Sequence, residues 1–150
     1  MIHSIKEWFK AAKPNPSTAD VCVQIGCHYE EVSEMGAALC DDDVACELAD
    51  TALLYKMNHN WYIGAIEELS ADARVELLDA LCDQIVTAVG VAYMMGMDIE
   101  GALAEVNRSN WSKFKGGVPV FNAQGKIAKG VEYTPPELSD YIITKPVYTH

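Results

Sequence analysis

Along the first third of the chain the apolar or aromatic-like positions recur at Val21, Ile25, His28, Val32, Met35 and Leu39. Steps of four and three are the period of an α-helix with one apolar face. They predict a helix over about 18–40, with Ser17 or Thr18 as its N-cap and Asp20 in the first turn, where a carboxylate is favoured. The sixteen residues before it read as a short amphipathic piece closed by Lys13-Pro-Asn-Pro16, which cannot continue a helix. A second helical pattern covers about 43–57, and 61–69 reads as a short helix or an anchored loop. Ser70 caps a long helix reaching about Met95; Gly96-Met-Asp98 ends that helix and caps another over about 99–114.

After Lys115 the pattern changes. Gly116-Gly117, a turn at 122–125, Pro135-Pro136 and Pro146 sit among short β-prone pieces at 118–121 and 141–144. They predict a small hairpin and an extended tail, the part most open to wrapping on a neighbour or to poor order. The fold class is therefore all-α: a helical bundle with a short β-hairpin and extended C-terminal tail. The chain reads as a single domain, 1–150, with a helical core at about 17–114 and an appendage at 115–150. It shows no repeat, low-complexity segment or linker.

Composition adds limits. Of 150 residues, 50% are hydrophobic and 22% charged, an ordinary globular balance long enough to build a core. Eleven Lys and Arg against 22 Asp and Glu give a formal charge of −11. That argues against a broad surface for nucleic acid or anionic membrane, though not against a small anion brought in by a divalent cation. The N-terminus has no apolar stretch of the kind a signal peptide needs. The uncharged run 84–97 is shorter than the roughly 20 residues that cross a bilayer. Five cysteines without a CxxC pair suggest reduced, mostly buried thiols in a cytoplasmic protein. The N-x-S sequences at Asn107 and Asn110 are then chance matches.

The chemistry lies in the acids. On a wheel at about 100° per residue, Glu30, Glu31 and Glu34 share one sector with Val23, Cys27, Ala37 and Ala38, roughly opposite the apolar stripe and without a Lys or Arg. In the long helix after Ser70, Glu76, Asp79 and Asp83 fall within about 60° of one another, with apolar residues on nearly every other side. A helix that is hydrophobic all round is expected to be buried. Buried carboxylates must be protonated, paired or bound to a cation. Lys and Arg are scarce in both helices, with Arg74 alone at the start of the second, so a divalent metal is the remaining compensator. Oxygen ligands select magnesium or manganese. No histidine has a glutamate three residues before it, as a di-iron bundle requires, and the Cys/His spacing of a zinc site is missing. An acidic groove with magnesium is suited to a polyphosphate, whose hydrolysis such ions assist.

Glu31-Val-Ser-Glu34 followed by Glu76-Leu-Leu-Asp79 resembles the ExxE…ExxD pattern of the all-α nucleoside triphosphate pyrophosphohydrolases, the superfamily of the MazG-like proteins, dimeric dUTPases and phosphoribosyl-ATP pyrophosphohydrolase. The likeness continues at 83–92, at Glu105-Val-Asn-Arg-Ser-Asn-Trp-Ser-Lys113, at Gly125-Lys-Ile-Ala-Lys-Gly130 and at Tyr133-Thr-Pro-Pro-Glu-Leu138, covering roughly 17–138. It implies Mg²⁺-dependent hydrolysis of a (deoxy)nucleoside triphosphate to the monophosphate and pyrophosphate. Alternatives are a phosphoribosyl-ATP or modified-nucleotide diphosphatase, and a non-catalytic bundle that binds a magnesium nucleotide. The resemblance makes Glu31, Glu34, Glu76 and Asp79 metal ligands and gives the catalytic base role to Glu30 or Glu31. Asn110 and Lys113, with Asn107, become substrate contacts or buried polar partners, and Asp83 a supporting acid or a sugar contact. Gln24 and His28 lie where a base could be reached. It also implies a four-helix core completed as a homodimer or homotetramer, which agrees with a chain too short of helices to cover two that are apolar all round. Two features depart from the pattern. The stretch 40–69 is longer than usual and carries Trp61 and Tyr62, as base platform or as anchors, and Thr87 stands where the family has an aromatic residue.

Overall fold

The computed structural model describes residues 1–123 and 125–143. Its elements are α1 (Ile2–Ala12), α2 (Thr18–Ala38), α3 (Asp42–Lys56), α4 (Asn60–Glu67), α5 (Ala71–Met94), α6 (Ile99–Trp111) and one 3₁₀ turn, Ser139–Tyr141. Among the described residues the β structure consists of isolated bridges, including Met97 with Ile142 and Lys115 with Val118. The all-α class is thus observed, and no described helix is long and apolar enough to cross a membrane.

Helix starts follow side-chain chemistry. Ser17 Oγ accepts the Asp20 amide while Asp20 Oδ2 accepts the Ser17 amide at 2.9 Å, a reciprocal capping box. Ser70 caps α5 through the Ala73 amide, and Asp98 caps α6 through the Gly101 amide. Stretch 61–69 resolves as a helix, begun by His59, whose Nδ1 accepts the Trp61 amide.

The chain divides into two compact units. One holds α2, α3 and α4 (Asn15–Leu69) with Phe121–Lys126. Its centre is a seam of small residues. Cys22, Gly26 and Gly36 on α2 are buried, and Ser33 Oγ donates to the Ala45 carbonyl of α3 at 2.7 Å. A Cβ on Gly26 would lie 2.7 Å from the Ala52 carbonyl oxygen and 2.7 Å from Lys56 Cγ. Glycine is what lets α3 come this close. Tyr55 stacks on Tyr29 and on Tyr62 of α4, anchoring the 40–69 stretch, while Trp61 stays 67% exposed.

The other unit holds α1, α5, α6 and the described residues from Ile127 onward. Trp8 and Ala12 of α1 pack with Phe114, and Ile127 joins them. The Trp8 and Phe114 rings stack at 5.9 Å, and Asn107 Nδ2 on α6 donates to Ser4 Oγ at 2.6 Å. The C-terminal segment is pinned to α6: Ser109 Oγ donates to the Thr134 carbonyl, the Thr134 amide to Ser112 Oγ, and Arg108 to Thr134 Oγ1 and the Pro135 carbonyl.

Several expectations are corrected. The large apolar stripe of α2 is only partly internal: Ile25 and Val32 are half-buried, whereas Val21, Met35 and Leu39 are exposed. Small residues, which the wheel weighted little, allow the closer backbone approach and take the inner position. Helix α5, read as buried, contributes one buried residue, Ala92, and exposes Val75, Leu78, Val86 and Tyr93. Within its own unit, the described residues leave those side chains open. The thiols expected to be mostly buried are not: among the described residues Cys22 is buried, Cys27 half-buried, and Cys40, Cys46 and Cys82 exposed. Helix α6 stops at Trp111, and Phe114, expected as its last turn, enters the core beyond it. The tail predicted to wrap a neighbour packs on its own α6 as far as described. The turn at 122–125 forms, with the Gly125 amide on the Asn122 carbonyl at 3.0 Å; part of the 141–144 strand prediction lies outside the described residues.

Gly26→Ala is expected to destabilise the fold by about 1–3 kcal/mol, because backbone rather than a flexible tip meets the new methyl. Gly64→Ala, in α4 with open space around it, should instead stabilise by up to about 1 kcal/mol. Urea denaturation of both variants checks the pair of signs.

Candidate functional site

The acids of α2 divide by position on the helix. Glu30 borders the seam and lies between two cations, with Lys56 Nζ and Lys126 Nζ each 2.7 Å from its Oε2. Burial pushes the Glu30 carboxyl up, but hydrogen bonds and charge from Lys126 and Lys56 outweigh it and hold the group below the ordinary range. Glu31 and Glu34, further from the seam, are exposed. Neither makes an ion pair with Lys or Arg among the described residues.

On α5 the carboxylates of Glu76, Asp79 and Asp83 are exposed. Glu76 and Asp79 likewise have no Lys or Arg partner among the described residues. Thr87 turns its hydroxyl back on its own helix, to the Asp83 carbonyl at 2.8 Å. Structure therefore gives the expected metal ligands as two i,i+3 carboxylate pairs, Glu31/Glu34 in one unit and Glu76/Asp79 in the other, lying outside rather than in a buried helix interior. Gln24 and His28 are exposed too.

The α6 motif has mainly structural partners. Asn107 holds Ser4 of α1, and Asn110 Oδ1 accepts from Lys113 Nζ at 2.7 Å. Glu105 takes Arg108 in a two-pronged pair, Nε at 2.8 Å and Nη2 at 2.7 Å, and accepts the Glu137 amide at 3.0 Å. The segments 105–113 and 133–138 that carried part of the resemblance thus lock each other in place.

All four candidate metal ligands offer carboxylate oxygen, the donor type of a hard cation. Within each unit, no group of three or more His, Cys, Asp or Glu side chains that could hold a metal ion is found among the described residues. Each pair suits two positions of a magnesium shell, which keeps several waters and takes further oxygens from phosphate. On donor chemistry the residues fit. Sequence reasoning missed Lys56 and Lys126. Lys56 is the last-turn cation of α3, and Lys126 is ninety-six positions from Glu30. The one signal within reach was a lysine directly after the turn glycine, Gly125. No family model matches the chain, and comparison with curated proteins and with solved structures finds no match either.

The Glu105 carboxyl is held down to about 2 from an ordinary 4.5, first by the Arg108 hydrogen bonds and then by the Glu137 amide. A depressed carboxylate stabilises the fold fully above its unfolded value and loses that contribution as pH falls toward its folded one. Melting curves of the native chain and Glu105→Gln should therefore differ above pH 4.5 and converge as pH approaches 2.

Proposed function

We propose that the protein hydrolyses a (deoxy)nucleoside triphosphate to the monophosphate and pyrophosphate with Mg²⁺, Glu31, Glu34, Glu76 and Asp79 serving as the carboxylate ligands. The observation that carries this reading is the pair of exposed i,i+3 carboxylate couples on α2 and α5, none of them in an ion pair with Lys or Arg among the described residues. Glu7, Glu30 and Glu105 each hold a lysine or arginine. Glu47 and Asp50 of α3 are exposed without such an ion pair too, so what sets the two couples apart is the resemblance of their motifs. Acids left without a counter-charge in a chain of formal charge −11 repel one another, and a divalent cation relieves that repulsion. Bound magnesium would supply charge neutralisation along the triphosphate and acidify a water. The chain's own part is to present the oxygens and a base. Of the two base candidates, Glu31 is the better, since its carboxylate is not engaged by ammonium groups as Glu30 is. Asp83 shares the outward face of α5. Asn107 ties α6 to α1 through Ser4, while Asn110 and Lys113, bonded to each other, remain the residues proposed to contact substrate.

The same reading includes assembly as a homodimer or homotetramer through α5, supported by Leu78 at 63% and Val86 at 67% exposure on a helix apolar on most sides. Light scattering should give two or four times the 16.4 kDa chain, and Leu78→Glu with Val86→Glu should return it toward one chain. A native chain that is monomeric at all concentrations contradicts this part.

Incubation with each NTP and dNTP plus Mg²⁺ is expected to release pyrophosphate from at least one of them. Glu76→Gln should lower that kcat/KM by about a hundredfold or more with an unchanged far-UV spectrum. A nucleotide that raises the melting temperature yet is never cleaved would indicate the non-catalytic binding bundle instead.

A further inference from the structure

The cluster at Glu30 is built with one cation more than an ion pair needs. Lys56 and Lys126 both bond to Glu30 Oε2 at 2.7 Å, so their nitrogens lie no further apart than twice that distance. One carboxylate bonded to two ammonium groups leaves one cation beyond a one-to-one pair, in a protein of formal charge −11. Glu31, the nearest further acid by sequence, is exposed and bonds to neither lysine, its charge acting on Lys126 only through space.

The Lys56 side chain and the Lys126 backbone are held in place, the Lys126 side chain itself being 45% exposed. The side chain of Lys56 is only 17% exposed, and its stem crosses α2 over Gly26, where any Cβ would strike Cγ at 2.7 Å. Lys126 sits in a turn gripped from both sides by Asn122: its amide donates to Asn122 Oδ1 at 3.0 Å and its carbonyl accepts the Asn122 amide at 2.9 Å. Gly125 enters that turn at φ 75°, a conformation glycine adopts without strain. The result is two positioned ammonium groups, each with three N–H donors of which Glu30 takes one. Lysine ammonium groups spaced this closely suit the several oxygens of a phosphoryl group.

We propose that Lys56 and Lys126 form a metal-independent site for the phosphoryl groups of a polyphosphate ligand, with Glu30 as the positioning residue that holds the two ammonium groups and competes with the ligand for them. This deepens the triphosphate reading only in naming which residues grip the phosphate chain. The site itself stands on its own geometry, inside one unit, and needs no magnesium. It also gives Glu30 a role different from the base or ligand that sequence suggested.

The test is calorimetric titration of the full chain with inorganic tripolyphosphate in EDTA. Native protein should bind with an affinity that falls as salt rises. Lys126→Met should weaken binding about tenfold or more, as expected for losing a charge-assisted hydrogen bond. Lys56→Met, which keeps the stem over Gly26, should do likewise. Glu30→Gln should strengthen binding severalfold, because the competitor is neutralised, whereas a merely structural ion pair would give no gain. Lys126 lies on a surface turn, so its variant keeps the test open should Lys56→Met fail to fold. Absent metal-free binding, unchanged affinity in Lys126→Met, or weaker binding in Glu30→Gln would each overturn the proposal. Lysine-dependent binding without turnover of any triphosphate would remove the hydrolase reading alone. Turnover with lysine-independent binding would remove this inference alone.

Discussion

Close approach of two backbones at Gly26 determines what α2 can present. The Ala52 carbonyl and the Lys56 stem occupy the space a side chain would need, so α2 meets α3 through Cys22, Gly26, Ser33 and Gly36, with Val23 the one larger side chain buried on the helix. The charged groups and the largest exposed apolar ones lie on the flanks. The apolar stripe Val21, Met35 and Leu39 goes to one side and the acids to the other. Glu30, nearest the seam, meets the lysine that the glycine admits. Glu31 and Glu34, further round, form no ion pair with a lysine among the described residues. A single absent Cβ thus separates the carboxylate that is internally neutralised from those that are not.

That division explains what was legible in the sequence. Helix limits were, because they rest on local chemistry: Ser17 with Asp20, Ser70 and Asp98 each satisfy amides within three residues. The turn at 122–125 was legible for the same reason. The packing face was not. A wheel weighs large apolar side chains, while α2 and α3 meet through small ones, whose advantage is distance rather than transferred area. Nor does periodicity show which apolar surface a chain can cover by itself; α5 reads as buried and is exposed. Of the site, the four outward carboxylates were legible as acids without cations nearby in sequence. Lys126, from a turn distant in sequence, and the Asn107 bond to Ser4 were not, because they depend on tertiary neighbours.

Charge ties these points together. A chain with twice as many acids as bases uses its few cations selectively. Arg108 locks the C-terminal segment to α6 through Glu105, and Lys56 and Lys126 converge on Glu30. Glu31, Glu34, Glu76 and Asp79 are left uncompensated on two helices that also carry much of the exposed apolar surface. Ions and copies of the chain can satisfy both deficits in one assembly, which is why the functional reading and the oligomeric one are a single account.

The central claim is that these four carboxylates exist to hold a divalent cation beside a polyphosphate. Its most direct measurement is a crystal structure of the protein with Mn²⁺ and a non-hydrolysable nucleoside triphosphate, with the metal located by anomalous scattering. The account predicts manganese ligated by Glu31, Glu34, Glu76 and Asp79 together with phosphate oxygens. Manganese bound elsewhere, with those four side chains in water or against a neighbouring chain's lysines and arginines, would contradict it.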